Sequence, residues 1–318
     1  MWLRTIFRRR NNAATAERRT ALDEHLLRRL ERLVLATSRA LPGGLSGEHA
    51  SRRRMPAPTF SDHRPYSTGD DLRYIDWNAY GRLEHLHLKI GEAEQDVRVT
   101  LLLDCSASMN WGEGDQNKLH FARLLTAAIG YIALATGDHL QVVPFGSDRP
   151  NVWGPASSRN HATSLLVYLQ RVAAAGTTGA AESIARLAHG LAGPRDAVQR
   201  GGLLVVISDL LHSEDLQTAL RVFHAPRWQV LMLHVLHPHE MQPNVSGDVD
   251  LQDSETEARL SLHIDDRALA AYAAAVEQWC EHLESDCARH GQMYARLTTD
   301  MSLERAALAY LRQREILR

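Results

Sequence analysis

Asp104, Ser106 and Ser108 stand two residues apart in the stretch LLLDCSASM, directly after an unbroken aliphatic run. Carboxylate and hydroxyl oxygens are hard donors. They suit Mg²⁺, which prefers six oxygens in near-octahedral array and keeps several waters. Two further oxygen-bearing residues follow in chain order: Thr177 in AGTTG (residues 175–179) and Asp209, which ends the run LLVVISD. Only two of the five are formally charged, so an ion held by them stays electrophilic and accepts an anionic ligand from outside. Taken alone, D-x-S-x-S also fits a helix N-cap, where Ser and Asp accept from free backbone N–H groups. Asp209 has the same plainer reading ahead of LLHSEDL.

Strand ends must bring these residues together. From residue 97 the pattern predicts alternating elements: strand 97–103, helix 118–136, strand 139–145, helices 158–173 and 180–191, strand 202–208, helix 213–222 and strand 228–236. Such alternation argues for an α/β fold with a parallel sheet covered by helices on both faces. Continuous apolar runs such as LLLD and LLVVISD suit central strands buried on both sides. In open α/β sheets ligand sites lie just beyond the carboxyl ends of strands, where Asp104 and Asp209 both fall.

The 318 residues allow one substantial core and a smaller second unit. Net charge is only −2, yet residues 1–54 hold 13 Arg against 5 acids, leaving the remainder acidic. Lysine occurs only at Lys89 and Lys118, and no Gly-Lys pair exists for a Walker A phosphate loop. Three cysteines give no disulfide framework; Cys280 and Cys287, seven apart on a predicted helix, are separated by about 10 Å of helical rise. A reducing, cytoplasmic location is expected. MWLRTIF followed by RRR does not read as a signal segment, and FARLLTAAIGYIALAT, which contains Arg123, falls short of a spanning helix.

Residues 1–54 form the first unit, with Leu22, Leu26, Leu30, Leu33 and Val34 on one stripe of an amphipathic helix over 21–40. Its arginines suit peripheral contact with an acidic membrane surface or, more plainly, a solvated helix face. No recognition motif accompanies them, so specific nucleic-acid binding is not expected. Residues 55–96 are read as a small β element, with a turn at 67–71 and Trp77 filling core; residues 97–318 form the main domain with a carboxyl-terminal hairpin, GDVDLQDSE, and helices. In HVLHPHE, the spacing of His234, His237 and His239 suggests zinc, but without a Cys partner the expectation is a strand end with exposed histidines. His85 and His87 alternate with Leu86 and Leu88 and are read as solvated.

The D-x-S-x-S at 104–108, Thr177 and Asp209 resemble the metal-ion-dependent adhesion site of von Willebrand factor type A domains. RPYSTGDDLRYIDWNAYGR, GDVDLQDSET, YAAAVEQWC and GQMYARLTTDMSLERAALAYL resemble the bacterial family called domain of unknown function 58. The resemblance covers about residues 60–315. It implies a Rossmann-like von Willebrand factor A-type sheet, an interaction surface dependent on Mg²⁺ (or Mn²⁺) that takes an acidic residue of a protein partner, and a MoxR-type AAA+ ATPase as working partner. Many such relatives carry amino-terminal apolar segments that this chain lacks, which favours an adaptor or chaperone-like role. AGTTG stands where a double glycine is more usual, so Thr178 remains an alternative to Thr177. Two other function classes stay open: a Mg²⁺-dependent hydrolase or phosphatase using Asp104, and a scaffold whose metal only stiffens loops. Against the hydrolase, no second carboxylate stands two residues after Asp104. The reading is therefore a non-enzymatic module, of unassigned oligomeric state.

Overall fold

The computed structural model describes residues 5–6, 50–56, 62–66, 75–83, 85–94, 98–146, 151–174, 202–211, 216, 220, 223, 228–253, 259–303 and 305–307. The basic helix expected over 21–40, the turn at 67–71, the helix expected over 180–191, most of that over 213–222, and both Thr177 and Thr178 lie outside the described residues.

Among the described residues, twelve strands run in chain order as β1 (Thr5–Ile6), β2 (Ala50–Pro56), β3 (Asp62–Pro65), β4 (His87–Glu94), β5 (Arg98–Asp104), β6 (His139–Phe145), β7 (Trp153–Ala156), β8 (Gly202–Ser208), β9 (Trp228–Leu236), β10 (Gly247–Asp253), β11 (Arg259–Ile264) and β12 (Met293–Thr298). The α-helices among the described residues are α1 (Trp77–Leu83), α2 (Lys118–Ala135), α3 (Ala162–Arg171), α4 (Pro238–Met241) and α5 (Asp266–Arg289). Six strands form the central sheet in the order β12-β9-β8-β5-β6-β7. Its pairings are parallel except β6 with β7. The expectation of a parallel sheet thus holds for its body and fails at one edge. Two three-stranded sheets accompany it, β2-β4-β3 and β1-β10-β11; β10 and β11 form the hairpin read from GDVDLQDSE, antiparallel from Gly247↔Ile264 to Gln252↔Arg259.

Side-chain alternation divides the sheet's two faces. Leu101 and Leu103 enter the cluster with Leu125, Ile129 and Ile132 of α2 and with Leu165 and Leu169 of α3. Leu102 enters the opposite cluster with Val206, Met232 and Leu283 and Cys287 of α5. Both faces are covered, so β5 and β8 are apolar at successive positions. Helix α2 starts at Asn117, whose side chain accepts from the His120 backbone N–H at 3.0 Å. By length and composition α2 reaches the threshold for a bilayer span, which its sequence was not expected to do, but 78% of it is buried as the central helix against the sheet. Helix α5 buries Val276, Cys280, Leu283 and Cys287, spaced four, three and four apart, as a one-sided amphipathic helix must. All three cysteines are buried and none forms a disulfide.

Two expectations about apolar and aromatic side chains are corrected. Trp77 does not fill core: it is 64% exposed and meets Tyr80 edge-on at 6.2 Å on α1. His234 and His237 are buried, and of the three histidines in HVLHPHE only His239 is exposed. His234 points from β9 toward the α5 side, where its Nδ1 lies 2.7 Å from the Tyr294 hydroxyl and its ring meets Trp279 edge-on.

Candidate functional site

The strand order places a topological switch between β5 and β8. From β5 the chain passes to β6 on one side, and from β8 to β9 on the other, so the connections leave the two carboxyl ends in opposite directions. A crevice opens at such a point, and ligands of doubly wound sheets bind there. Asp104 is the last residue of β5, and Asp209 directly follows β8.

Asp104, Ser106, Ser108 and Asp209 are all buried at this crevice. Asp104 Oδ1 accepts from the Ser106 backbone N–H at 2.9 Å, and Oδ2 accepts from the Ser208 hydroxyl at 2.5 Å. Ser208 Oγ in turn accepts from Leu210 N–H at 3.0 Å. The hydroxyls of Ser106 and Ser108 lie 2.9 Å apart. Residues 107–109 make one turn of 3-10 helix, but Ser106 forms no side-chain cap bond to it, and α2 is capped by Asn117 instead. Ser106 is thus no helix cap, whereas Asp104 does take a free backbone N–H, that of Ser106. Leu210, immediately after Asp209, is the one non-glycine residue with positive φ (56°) among the described residues. Backbone held in that region costs about 1–3 kcal/mol and tends to occur where a functional loop fixes the chain.

Lys118 is a member of the site that sequence reasoning missed. Its Nζ is wholly buried and donates to Asp209 Oδ2 at 2.8 Å and to Glu240 Oε1 at 2.7 Å. Glu240 Oε2 also accepts from the His237 backbone N–H at 2.8 Å, closing a capping box on α4. One signal was available: Lys118 is the first residue of α2, where a cation opposes the helix dipole, and it is one of only two lysines in the chain. Ser208 and Glu240 carried no comparable signal.

The electrostatics follow from burial. Burial, and then the charge of Asp209, push Asp104 up to about 6. Burial also raises Asp209, but the Lys118 ammonium and its hydrogen bond outweigh that and hold this carboxyl below the usual range. Burial lowers Lys118, whereas Asp209 and Glu240 beside it more than compensate and hold its ammonium charged. With three carboxylates ionised and one ammonium, the cluster carries a formal charge of about −2 in a setting where charge is poorly screened.

These donors fit a hard divalent cation: two serine hydroxyls, two buried carboxylates and an uncompensated negative charge. Asp104, Ser106, Ser108 and Asp209 are the described residues able to hold one; Thr177 lies outside the description. Among the described residues no group of three His, Cys, Asp or Glu side chains is placed to hold a metal. A divalent ion here would thus depend on hydroxyl and water oxygens, and the histidines of HVLHPHE do not assemble a zinc centre.

A domain that pairs this switch-point crevice with the matched sequence is a member of a defined class: the family described as Protein of unknown function DUF58 matches residues 62–281, and the chain belongs to it. An uncharacterized protein of Mycobacterium tuberculosis (strain ATCC 25618 / H37Rv) is 31% identical over 265 residues, spanning 80% of this chain and 81% of that protein; one of Mycobacterium bovis matches equally. Among solved structures, a conserved hypothetical protein BatB from Bacteroides thetaiotaomicron is 16% identical with a TM-score of 0.40, covering 68% of this chain and 98% of its own. A von Willebrand factor type A protein from Catenulispora acidiphila is 12% identical with a TM-score of 0.39, covering 69% and 42%.

Proposed function

We propose that this chain is a Mg²⁺- or Mn²⁺-dependent protein-interaction module. The carrying observation is the convergence of buried Asp104 and Asp209 with two serine hydroxyls at the switch crevice, with negative charge left over. When bound, the ion supplies a Lewis-acidic point able to take a carboxylate oxygen from a partner protein. Asp104, oriented by Ser106 N–H and Ser208 Oγ, and Asp209, oriented by Lys118, fix the anionic wall; Ser106 and Ser108 contribute neutral oxygens, and Thr177 or Thr178 is proposed to add another. A divalent ion would balance the wall's excess negative charge, so the partner's acidic side chain meets the ion's open position and not a bare anionic cluster. The resemblance to the family called domain of unknown function 58 implies a MoxR-type AAA+ ATPase as partner, which would supply the ATP-driven step for which this sequence has no Gly-Lys phosphate loop. It acts in a reducing compartment and catalyses no reaction itself.

Calorimetric titration with Mn²⁺ tests the site: wild type binds weakly, and Asp104→Ala retains its circular dichroism spectrum but shows no binding. Equal affinity in the two proteins refutes it. Co-purification of a MoxR-type ATPase in Mg²⁺, lost in EDTA and in the Ser106→Ala/Ser108→Ala double variant, tests the partner. Recovery indifferent to all three conditions refutes docking through this crevice.

A further inference from the structure

Lys118 is the most fully buried charge in the described part of the molecule, and both its ion-pair partners belong to or adjoin the crevice. A buried ion pair is weak ground for stability, because apolar residues of similar volume frequently stabilise as well. Its position at the amino terminus of α2 also places a cation against the positive end of the helix dipole. Stability alone is thus a poor account of a lysine at this position.

Resting on the metal reading above, we propose that Lys118 is an internal counter-ion that sets the divalent affinity of the crevice, holding it low. The ammonium occupies Asp209 Oδ2 directly and cancels one of the three negative charges of Asp104, Asp209 and Glu240. Glu240 opposes it: by sharing the ammonium at 2.7 Å, it leaves Asp209 only half neutralised. Two residues 122 apart in sequence therefore act on one carboxylate with opposite sign. Affinity held low in the free protein makes ion retention depend on the extra negative charge a partner brings. A partner's carboxylate then becomes a requirement for a filled site and not an accessory to it.

The sign of the effect separates this role from simple positioning. Lys118→Met leaves the crevice one charge more negative, Glu240→Gln one charge less, and the double variant Lys118→Met/Glu240→Gln restores the wild-type charge with neither group present. A unit charge about 6 Å from a divalent ion changes its affinity about tenfold even at the dielectric of bulk water, and by more in a buried setting. Calorimetric Mn²⁺ titration at constant ionic strength, with circular dichroism on each protein, should give Lys118→Met tighter than wild type by at least about tenfold, Glu240→Gln weaker by at least about tenfold, and the double variant close to wild type. If Lys118 only held Asp209 in place, every variant would bind more weakly. A folded Lys118→Met that binds no tighter, or a folded Glu240→Gln that binds no more weakly, overturns the proposal; should Lys118→Met not fold, Glu240→Gln and the double variant decide it. Wild type binding no Mn²⁺ overturns this proposal together with the metal reading, whereas wild type binding Mn²⁺ with the wrong order among variants overturns the Lys118 role alone.

Discussion

Gly146 follows β6 with φ of 76°, and a Cβ placed on it would lie 2.8 Å from Ser106 N, 3.1 Å from Ser106 Cα and 3.2 Å from Asp104 Oδ1. Gly137, after α2, has nearly the same φ of 79° and nothing within 4 Å of its Cβ. The two glycines share the backbone requirement, and only one of them touches the site. Gly137→Ala should therefore cost only the left-handed penalty, about 1–2 kcal/mol. Gly146→Ala adds a contact with backbone that has no flexible end to swing away. To relieve it the 104–108 loop must shift, weakening the 2.9 Å bond from Ser106 N–H to the Asp104 carboxylate. A bond to a buried charged group is worth about 1.5–3 kcal/mol, which brings the total to roughly 3–5 kcal/mol. At about 2–4 °C per kcal/mol, Gly137→Ala should melt a few degrees below wild type and Gly146→Ala about 10 °C below it. Calorimetric Mn²⁺ titration of both variants completes the test: Gly137→Ala retains wild-type affinity, and Gly146→Ala loses it while still folded. Equal melting temperatures and equal Mn²⁺ affinities for the two variants would refute the argument that the β6 exit presses on the 104–108 loop.

His234 supplies a pH prediction. Burial, first, holds its imidazole neutral and pushes it down from 6.5 to about 3. A depressed folded-state pKa means that the unfolded chain takes up the proton first, so this group's contribution is fully present above about pH 6.5 and is lost as pH falls toward 3, by about 1.4 kcal/mol per pH unit. Urea unfolding of His234→Phe at a series of pH values from 7 to 4 should show a slope shallower by about that amount; parallel curves for the two proteins would show that His234 is not buried neutral. Asn117→Ala removes the α2 cap and should cost about 1–2 kcal/mol in the same assay, while Ser106→Ala should not behave as the loss of a helix cap; comparable cooperative loss of α2 helicity in Ser106→Ala would reinstate the cap reading of D-x-S-x-S.

The local chemistry of this chain was legible because some signals are carried by consecutive residues. Apolar runs such as GLLVVIS, and WQVLMLHVL with only Gln229 and His234 breaking it, marked β8 and β9 as strands, and the structure bounds them at Gly202–Ser208 and Trp228–Leu236. A central strand buried on both faces is apolar at nearly every position, so its own residues announce it. The same holds for oxygen-bearing residues at a strand exit: Asp104 and Asp209 could be placed at carboxyl ends of strands from alternation alone, whereas the adjacency of β5 and β8 came from the sheet order. Edge strands β7 and β12 went unread, because WGPA and MYARLT are only partly buried and borrow their pairing from β6 and β9. Histidine and tryptophan misled for a related reason. Each has a polar handle on an apolar body, so its burial depends on what packs there from elsewhere: α5 covers His234, whereas Trp77 stays exposed. Lys118 shows the limit most sharply. Its residue type was visible, but its pairing with Asp209, 91 positions away, and with Glu240, 122 away, exists only once β8, β9 and α2 share one end of the sheet. Sequence determined which groups were available for chemistry at this crevice; tertiary structure decided the charge they meet there, because electrostatic energy depends on distance through space and on burial, neither of which is a property of a residue's place in the chain.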